Sequence, residues 1–316
     1  MLRDHNLHPV SIRIGNHTEP LILSFGSQNT QQLFSNVCTH RGNILLENPS
    51  SSEVIRCSYH GRCFDSNGQF KRMPEFRDAV NFPSLKDDLA RFNVASLGPM
   101  IFGQLSKDGP SWQQLVHSLT KRLSWLDFDQ LLHAKEMSRT YLLEANWALY
   151  VENYLEGFHI PFVHQKLNQA ISYEEYETHL FDTGSLQIAT ANASEASFMI
   201  PKNAADHGKN IYAYYFWFFP NLMINVYPWG ISLNQVLPLD TELTEIQFKT
   251  FLWPGYSAKE FKQTALHITE LEDEAIVRNV QLGIKSLAYD KGRFSPSREV
   301  GVHHFQRLVC KNWREN

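Results

Sequence analysis

The 316-residue sequence lacks the charge imbalance that marks many partners of nucleic acids. Its 29 Lys and Arg residues and 33 Asp and Glu residues give a formal net charge of −4, and the basic residues are scattered along the chain. No nucleic-acid partner is therefore expected. A long apolar run is also missing, because the stretch IYAYYFWFF at 211–219 stops at Pro220, far short of the about 20 residues that a membrane span requires. No membrane partner is expected.

Cysteine is scarce, and no secretory leader is recognisable. The segment MLRDHNLHPVSIRIGNHTEP at 1–20 carries charges and a proline where a signal peptide has an apolar run, which predicts a cytoplasmic protein. The four cysteines are too few for the disulfide framework of a secreted protein of this size. In a reducing compartment they are first considered as metal ligands; they are Cys38, Cys57, Cys63 and Cys310.

Short strand patterns dominate the first hundred residues, and the length of the chain suggests two domains. VSIRI, LILSFG and QLFSNV are separated by turns, and DSNGQF at 65–70 has the composition of a hairpin turn. An all-β domain is therefore predicted for residues 1–105.

The remaining residues, 106–316, mix two kinds of pattern. Apolar residues recur at helical spacing at 111–126, and further helices are predicted around 142–160 and 258–287. Strand-like runs lie between them: YAYYFWFF, ISLNQVLPL and EIQFKTFLW. Grouped strands followed by a long helix predict an α+β domain with a central antiparallel sheet.

Two segments each pair a cysteine with a histidine: CTHRG at 38–42 and CSYHGR at 57–62. A glycine after each histidine allows a turn that presents one thiolate and one imidazole to a common point. Buried thiols with unrelated histidines are the plain alternative, and a tetrahedral zinc site is another. One Cys and one His per loop suits better a two-iron cluster with chemically different irons. The candidate ligands are Cys38, His40, Cys57 and His60.

The segment ENYLEGFHIPFVH at 152–164 places three polar groups in an apolar, aromatic surrounding. Solvated or core-filling side chains are the plain alternative, but buried polar groups need partners, and a metal is one such partner. His159 and His164 are five residues apart, and Pro161 is predicted to break the helix at 159–161 so that both reach one metal. Two histidines and a carboxylate form the facial triad of non-heme iron oxygenases. The carboxylate is Glu156 or a distant residue.

Asp273 is the distant candidate, in the predicted helix at 264–287. A helical projection places it in the middle of an apolar stripe, whose members lie within about 60° of it: Leu266, Ile276, Val277, Val280, Ile284 and Leu287. A carboxylate centred on a buried face needs a metal or an ion-pair partner. Asp273 is therefore a better ligand candidate than Glu272, and a pair with a buried Arg or Lys is the alternative.

Both candidate sites resemble those of Rieske non-heme iron oxygenases. Residues 38–70 follow the Rieske [2Fe-2S] pattern, and residues 146–164 and 272–283 are similar to the two iron-site segments of the α, or terminal oxygenase, subunits. LEGFHIPFVH resembles the choline monooxygenase and carnitine oxygenase branch. The resemblance covers nearly the whole chain, with a shorter segment before VSIRI than is usual, as in a compact variant or a truncated start.

The resemblance implies a Rieske [2Fe-2S] domain at 1–105 and a START-like, helix-grip catalytic domain at 106–316. It also implies that the cluster ligands are Cys38, His40, Cys57 and His60, and that the ligands of a mononuclear Fe(II) are His159, His164 and Asp273. In that family the acidic residue at the position of Glu156 bridges a cluster histidine of one subunit to an iron ligand of the next. Such a bridge implies a ring of subunits, most often a homotrimer.

Four residues lie outside the usual pattern of the family or have no role in it. Arg62 and Cys63 follow the second glycine, where many relatives carry a tryptophan, and this change bears on how the cluster edge meets a neighbouring subunit or an electron donor. Glu156 replaces the Asp that many relatives have, and its longer side chain alters the reach of the bridge. Cys63 and Cys310 are interpreted as ordinary thiols.

The resemblance thus implies the terminal oxygenase of a Rieske system, which hydroxylates a small molecule with O2. The sequence has no glycine-rich dinucleotide fingerprint, so electrons from NAD(P)H are expected through a separate flavin or ferredoxin reductase. A cluster-containing ligand-binding protein without chemistry and a simple electron carrier are the alternatives.

The β-rich run from Tyr212 to Leu237 is predicted to line the substrate pocket, although alternate residues of a strand face the core. The candidates are Phe216, Phe218, Asn221, Met223, Asn225 and Tyr227. An aromatic lining suits an aromatic ring or, through cation–π contact, a quaternary ammonium group.

Overall fold

The computed structural model describes residues 4–26, 30–106, 109–193, 195–258 and 264–315. The chain divides into two compact units, residues 1–110 and 111–316. The sequence places the domain boundary near residue 105, a few residues before this division. Each unit is built around its own antiparallel sheet, and together they give a mixed α+β protein, as the sequence predicts.

Among the described residues of the first unit, all regular structure is β-strand apart from a short 3₁₀ turn at Leu85–Asp87. Its main sheet has the order β1-β2-β3-β7-β8, and a smaller sheet has the order β4-β5-β6. The strands are β1 Leu7–Ile14, β2 His17–Phe25, β3 Gln31–Ser35, β4 Val54–Arg56, β5 Cys63–Asp65, β6 Phe70–Arg72, β7 Arg91–Leu97 and β8 Met100–Gln104.

The predicted hairpin of the first unit joins β5 to β6. The Asp65 carboxylate accepts hydrogen bonds from the backbone N–H groups of Asn67 at 3.0 Å and Gln69 at 2.9 Å, and Gly68 has a φ of +79°. An Asp side chain and a glycine are the residues that such a turn favours. Beside the turn lies a core of Leu7, Ile22, Phe34, Ile55 and Phe64, which also contains the thiols of Cys38 and Cys57.

The second unit is built on an eight-stranded sheet of order β10-β16-β15-β14-β13-β12-β11, with β9 paired to β16. The strands are β9 Leu132–His133, β10 Arg139–Leu143, β11 Ile171–Phe181, β12 Gly184–Ala191, β13 Ile211–Phe218, β14 Leu222–Tyr227, β15 Gly230–Asp240 and β16 Leu243–Leu252. The helices are α1 Trp112–Arg122, α2 Trp147–Tyr154, α3 Ile160–Val163, α4 Gln165–Ala170, α5 Thr264–Gly283 and α6 Val300–Glu315.

Three helices pack against this sheet around one apolar core. Val151 of α2, Val277 of α5 and Phe305 of α6 meet Trp217 and Val236 of the sheet. Among the described residues, no helix combines the length and the apolar character needed to cross a bilayer.

The face that α5 buries differs from the predicted one. Of the apolar residues placed around Asp273, Val277 is buried, whereas Ile276, Val280, Ile284 and Leu287 are exposed, and the side chain of Leu266 lies outside the described part of the chain. The buried positions are largely polar: Glu270, Glu274 and Gln281. Each has a partner: Glu270 accepts from the Tyr150 hydroxyl, Gln281 accepts from the backbone N–H of Asn146, and Glu274 accepts from Arg278 one turn further along α5.

Candidate functional site

The two Cys–His segments of the first unit fold into matching loops. The carbonyl of Cys38 accepts a hydrogen bond from Gly42 N at 2.9 Å, and that of Cys57 accepts one from Gly61 N at 3.0 Å. Gly42 and Gly61 have φ angles of +72° and +73°, a backbone region that favours glycine. The same turn, used twice, brings four ligand side chains together.

The thiols and the imidazoles of these loops lie in different surroundings. Cys38 and Cys57 are buried, whereas His60 is exposed and His40 half-buried. The two imidazole rings are 4.7 Å apart between centroids, at an interplanar angle of 75°. The two sulfur atoms are buried and the two imidazoles lie nearer the surface, which fits a cluster whose two irons have different ligands.

The two buried thiols also differ in acidity. Burial raises the pKa of Cys38. Burial acts the same way on Cys57, but hydrogen bonds from the backbone N–H groups of Tyr59 and His60 outweigh it and lower the pKa of that thiol. The Asn43 amide also approaches the Cys57 sulfur, at 3.7 Å. Backbone donors directed at sulfur stabilise the thiolate that a metal requires.

A second group of metal-type ligands lies in the second unit. Donor atoms of His159, His164 and Asp273 all lie within 4.8 Å of one another. His164 Nε2 is 3.0 Å from Asp273 Oδ1 and 3.1 Å from His159 Nε2, and His159 Nε2 is 3.4 Å from Asp273 Oδ1. Two imidazoles and one carboxylate therefore face a single point, which fits a facial iron site with open positions.

The local backbone brings the two histidines together in a different way from the predicted one. Helix α2 ends at Tyr154, so the predicted helix at 142–160 is too long and the predicted break at 159–161 is wrong. Pro161 instead lies in the first turn of α3, where its missing N–H removes no helical hydrogen bond. His159 and His164 flank this single turn and point back to the same side.

Each histidine is oriented by a second carboxylate. His159 Nδ1 donates to Glu156 Oε1 at 2.6 Å, and His164 Nδ1 donates to Glu272 Oε2 at 2.7 Å. These contacts leave both Nε2 atoms directed at the common point, as carboxylate partners of metal-bound histidines do. Glu156 thus lies behind His159 rather than at the common point. The role of Glu272 was missed, because it depends on contact with a residue 108 positions away.

Opposite charges stabilise this arrangement. Burial opposes protonation of His159, but Asp273 and Glu156 outweigh it and raise the pKa of its imidazole to about 9. Burial likewise opposes ionisation of Asp273, and the two histidines lower the pKa of its carboxyl. Asp273 is therefore an ionised carboxylate, available as an anionic ligand.

A cavity of about 830 Å³ opens beside the three ligands. Its walls include the aromatic residues Tyr154, Tyr176, Tyr212, Tyr215, Tyr227 and Trp229. The rings of Tyr215 and Tyr227 are 6.0 Å apart at 80°, and those of Tyr227 and Trp229 are stacked at 4.8 Å. The three rings thus form an aromatic corner in the wall of the cavity.

Two of the six predicted pocket residues, Asn225 and Tyr227, line this cavity. The other four do not, and the prediction was wrong for them. Phe216 and Phe218 alternate with Tyr215 and lie buried on the opposite face of β13. Met223 packs into the core under the helices, and the Asn221 side chain donates to the Val236 carbonyl at 2.5 Å. Strand alternation therefore places Tyr215 at the cavity and its neighbours Tyr214 and Phe216 on the opposite face.

One further carboxylate faces the cavity. Glu270 lies one helical turn before Asp273 on α5, is buried, and accepts hydrogen bonds from the Tyr150 hydroxyl at 2.8 and 3.1 Å. Burial and the nearby Asp273 carboxylate raise the pKa of Glu270. A cation placed in the cavity would stabilise its ionised form.

Comparison with known families and sequences gives consistent results. Residues 5–85 match the Rieske [2Fe-2S] domain, and residues 128–314 match the ring hydroxylating alpha subunit (catalytic domain). The chain is 28% identical over 295 residues to choline monooxygenase of Arabidopsis thaliana, which covers 88% of this chain and 68% of that relative. It is 26% identical over 314 residues to the carnitine monooxygenase oxygenase subunit of Escherichia coli K12, covering 94% and 82%.

Solved structures support the fold. A quaternary ammonium Rieske monooxygenase studied for carnitine oxidation by gut microbiota superimposes with a TM-score of 0.75 at 22% identity, covering 97% of this chain and 85% of that one. Naphthalene 1,2-dioxygenase from Rhodococcus sp. superimposes with a TM-score of 0.69 at 17% identity, covering 98% and 86%.

Proposed function

Because this chain belongs to the family of ring-hydroxylating oxygenase α subunits, we propose that it is a Rieske monooxygenase of a small quaternary ammonium compound. As a member, it is an oxidoreductase with a [2Fe-2S] cluster and a mononuclear iron. We assign the cluster to Cys38, His40, Cys57 and His60, and the iron to His159, His164 and Asp273. When bound, the cluster supplies single electrons and the iron activates O2.

The aromatic corner of the cavity carries the proposal for the substrate. Tyr215 and Tyr227 meet at 80°, Trp229 stacks on Tyr227, and Tyr154 meets Tyr215 at 87°. Quaternary ammonium groups cannot donate hydrogen bonds, so proteins hold them against several aromatic faces. The relatives named above act on choline and carnitine, two compounds that carry this group.

The charge of the cavity also favours a cation. Glu270 is directed into it with only the Tyr150 hydroxyl as a hydrogen-bond donor among the described residues. The carboxylates of Glu272 and Asp273 lie at the same wall. A permanently charged ammonium group beside Glu270 offsets the cost of burying that carboxylate.

The electrons come from a separate reductase, since the sequence has no dinucleotide-binding fingerprint.

Glu156, which contacts the iron ligand His159 at 2.6 Å, then bridges to a cluster histidine of a neighbouring subunit in a homotrimer. On one face of α5, Ile276 and Val280 are exposed, and exposed apolar side chains that share a face suit a contact with another subunit. All four cysteines are free of disulfide bonds, which suits the reducing cytoplasm.

The test is coupled turnover with a surrogate reductase. The reaction consumes one O2, two electrons and two protons, and converts a C–H bond of the substrate into C–OH with release of one water. We expect O2 uptake matched by product for choline-like or carnitine-like compounds. The control is a neutral analogue in which carbon replaces the ammonium nitrogen, and it should bind at least about tenfold more weakly because cation–π contact is lost.

Two outcomes would contradict the proposed substrate class. Equal turnover of the neutral analogue would show that the aromatic corner does not recognise the positive charge of the substrate. Coupled hydroxylation of aromatic acids, with no turnover of any quaternary ammonium compound, would assign the cavity to aromatic rings instead.

A further inference from the structure

Arg62 replaces a tryptophan of the family pattern, and the structure buries it. Its side chain is only 2% exposed, and its guanidinium carbon lies 4.8 Å from the ring centroid of Phe70, 5.5 Å from that of Phe82 and 5.8 Å from that of Phe64. A permanent positive charge thus occupies an aromatic box in the Rieske domain.

The partner of this charge is Asp87, and the two members of the pair are unequally exposed. Arg62 Nη2 lies 2.5 Å from Asp87 Oδ1. Asp87 is 17% exposed, so water screens its negative charge more than it screens the guanidinium. Arg62 Nε is buried and has no hydrogen-bond acceptor within the described residues. The pair therefore leaves a net positive potential inside the domain.

The Arg62–Asp87 pair is attached to both cluster loops. The Arg62 carbonyl accepts a hydrogen bond from Cys57 N at 2.8 Å, which closes the second loop. The Thr39 hydroxyl of the first loop donates to the Asp87 carbonyl at 2.8 Å. Arg62 is two residues along the chain from His60, on the short segment that begins at Cys57. A cluster bound by these two loops would therefore lie close to the pair.

We propose that the buried Arg62–Asp87 pair sets the reduction potential of the cluster, with Arg62 raising it and Asp87 limiting the rise. Reduction adds one electron, and hence one negative charge, to a cluster held by the two loops. A nearby buried cation stabilises that charge, whereas its counter-ion opposes the effect. Charge and hydrogen bonding near an iron–sulfur cluster are known to shift its potential.

The test is a potentiometric titration of the full-length, cluster-loaded protein, followed by visible absorption and EPR without substrate. Arg62→Gln should lower the equilibrium constant for one-electron reduction at least about tenfold, which corresponds to about 59 mV. Asp87→Asn should shift the potential in the opposite direction, upward. Arg41→Gln is the matched control: Arg41 is next to His40 but exposed, so its loss should change the equilibrium constant less than about threefold.

Shifts of opposite sign in the reduction potentials of Arg62→Gln and Asp87→Asn distinguish tuning of the cluster from structural damage. Damage that loosens the cluster would shift both potentials in the same direction. The proposal is overturned if Arg62→Gln leaves the potential within the range of the control, or if both variants shift it in one direction. If Arg62→Gln does not bind the cluster, the reduction potentials of Asp87→Asn and Arg62→Lys test the proposal instead. Arg62→Lys keeps the charge and should stay near the wild-type potential, and an Asp87→Asn potential at or below wild type overturns the proposal.

Discussion

The two proposed metal sites of this chain, for the cluster and for the iron, are assembled in opposite ways. The cluster site consists of two copies of one loop, each closed by local hydrogen bonds and a glycine of positive φ. The iron site joins a turn at 159–164 to Asp273, which is 109 residues from His164 and lies on another helix. The first site combines thiols from an apolar core with two imidazoles nearer the surface, and the second combines the Asp273 carboxylate with two imidazoles, each held by a further carboxylate. A local site can be recognised from its motif, whereas a distributed site needs the packing of the whole unit.

The largest effect is expected from substitutions that remove the iron and leave the cluster in place. His159→Ala or Asp273→Ala should reduce the iron content from about three to about two per chain and abolish coupled O2 uptake, since two ligands do not hold a facial iron site. The visible and EPR signature of the cluster should be unchanged. Retention of coupled O2 uptake in either variant would contradict the assignment of the iron ligands.

The two orienting carboxylates allow a finer comparison within the iron site. Glu156→Gln and Glu272→Gln each weaken the support of one histidine, and both should lower iron affinity by about 10–100-fold. At saturating Fe(II), both variants should hold both metals. Only Glu156→Gln should then slow electron transfer from cluster to iron in a single turnover, because only Glu156 is proposed as the bridge. Glu242→Gln, at an exposed position, is the control.

Equal single-turnover rates in the Glu156 and Glu272 variants would contradict the bridge. Unchanged iron affinity in both would contradict their support of the histidines.

The smallest expected effect is a pH dependence confined to the iron site. In the metal-free protein, the pKa of His159 is raised to about 9, so its imidazole is protonated at neutral pH and must release a proton to bind iron. Affinity for Fe(II), or for Co(II) as a spectroscopic substitute, should rise up to about tenfold per pH unit below 9 and then level off. An affinity that is flat between pH 7 and 9 would contradict the charge coupling of His159 with Asp273 and Glu156.

The sequence predicts which candidate ligands lie together better than it predicts their surroundings. The structure brings together the side chains of the two Cys–His loops, and those of His159, His164 and Asp273, but most of the apolar stripe that singles out Asp273 is exposed. The error arises because helical periodicity does not show that Tyr150 and the backbone of Asn146 can satisfy buried polar residues on α5. Asn225 and Tyr227 were predicted in the pocket together with Phe216, which β13 turns away from it.

By itself, the sequence determined which residue types could bind metal, where the turns lie, and which family the chain resembles. These properties depend on short segments, in which glycine, proline and ligand spacing restrict the backbone directly. Only the tertiary structure decided that Glu272 orients His164, that Tyr215 rather than Phe216 lines the cavity, and that Arg62 is buried with Asp87 beside both Cys–His loops. Those contacts depend on strand register and on packing between residues far apart in the chain, which local sequence patterns do not specify.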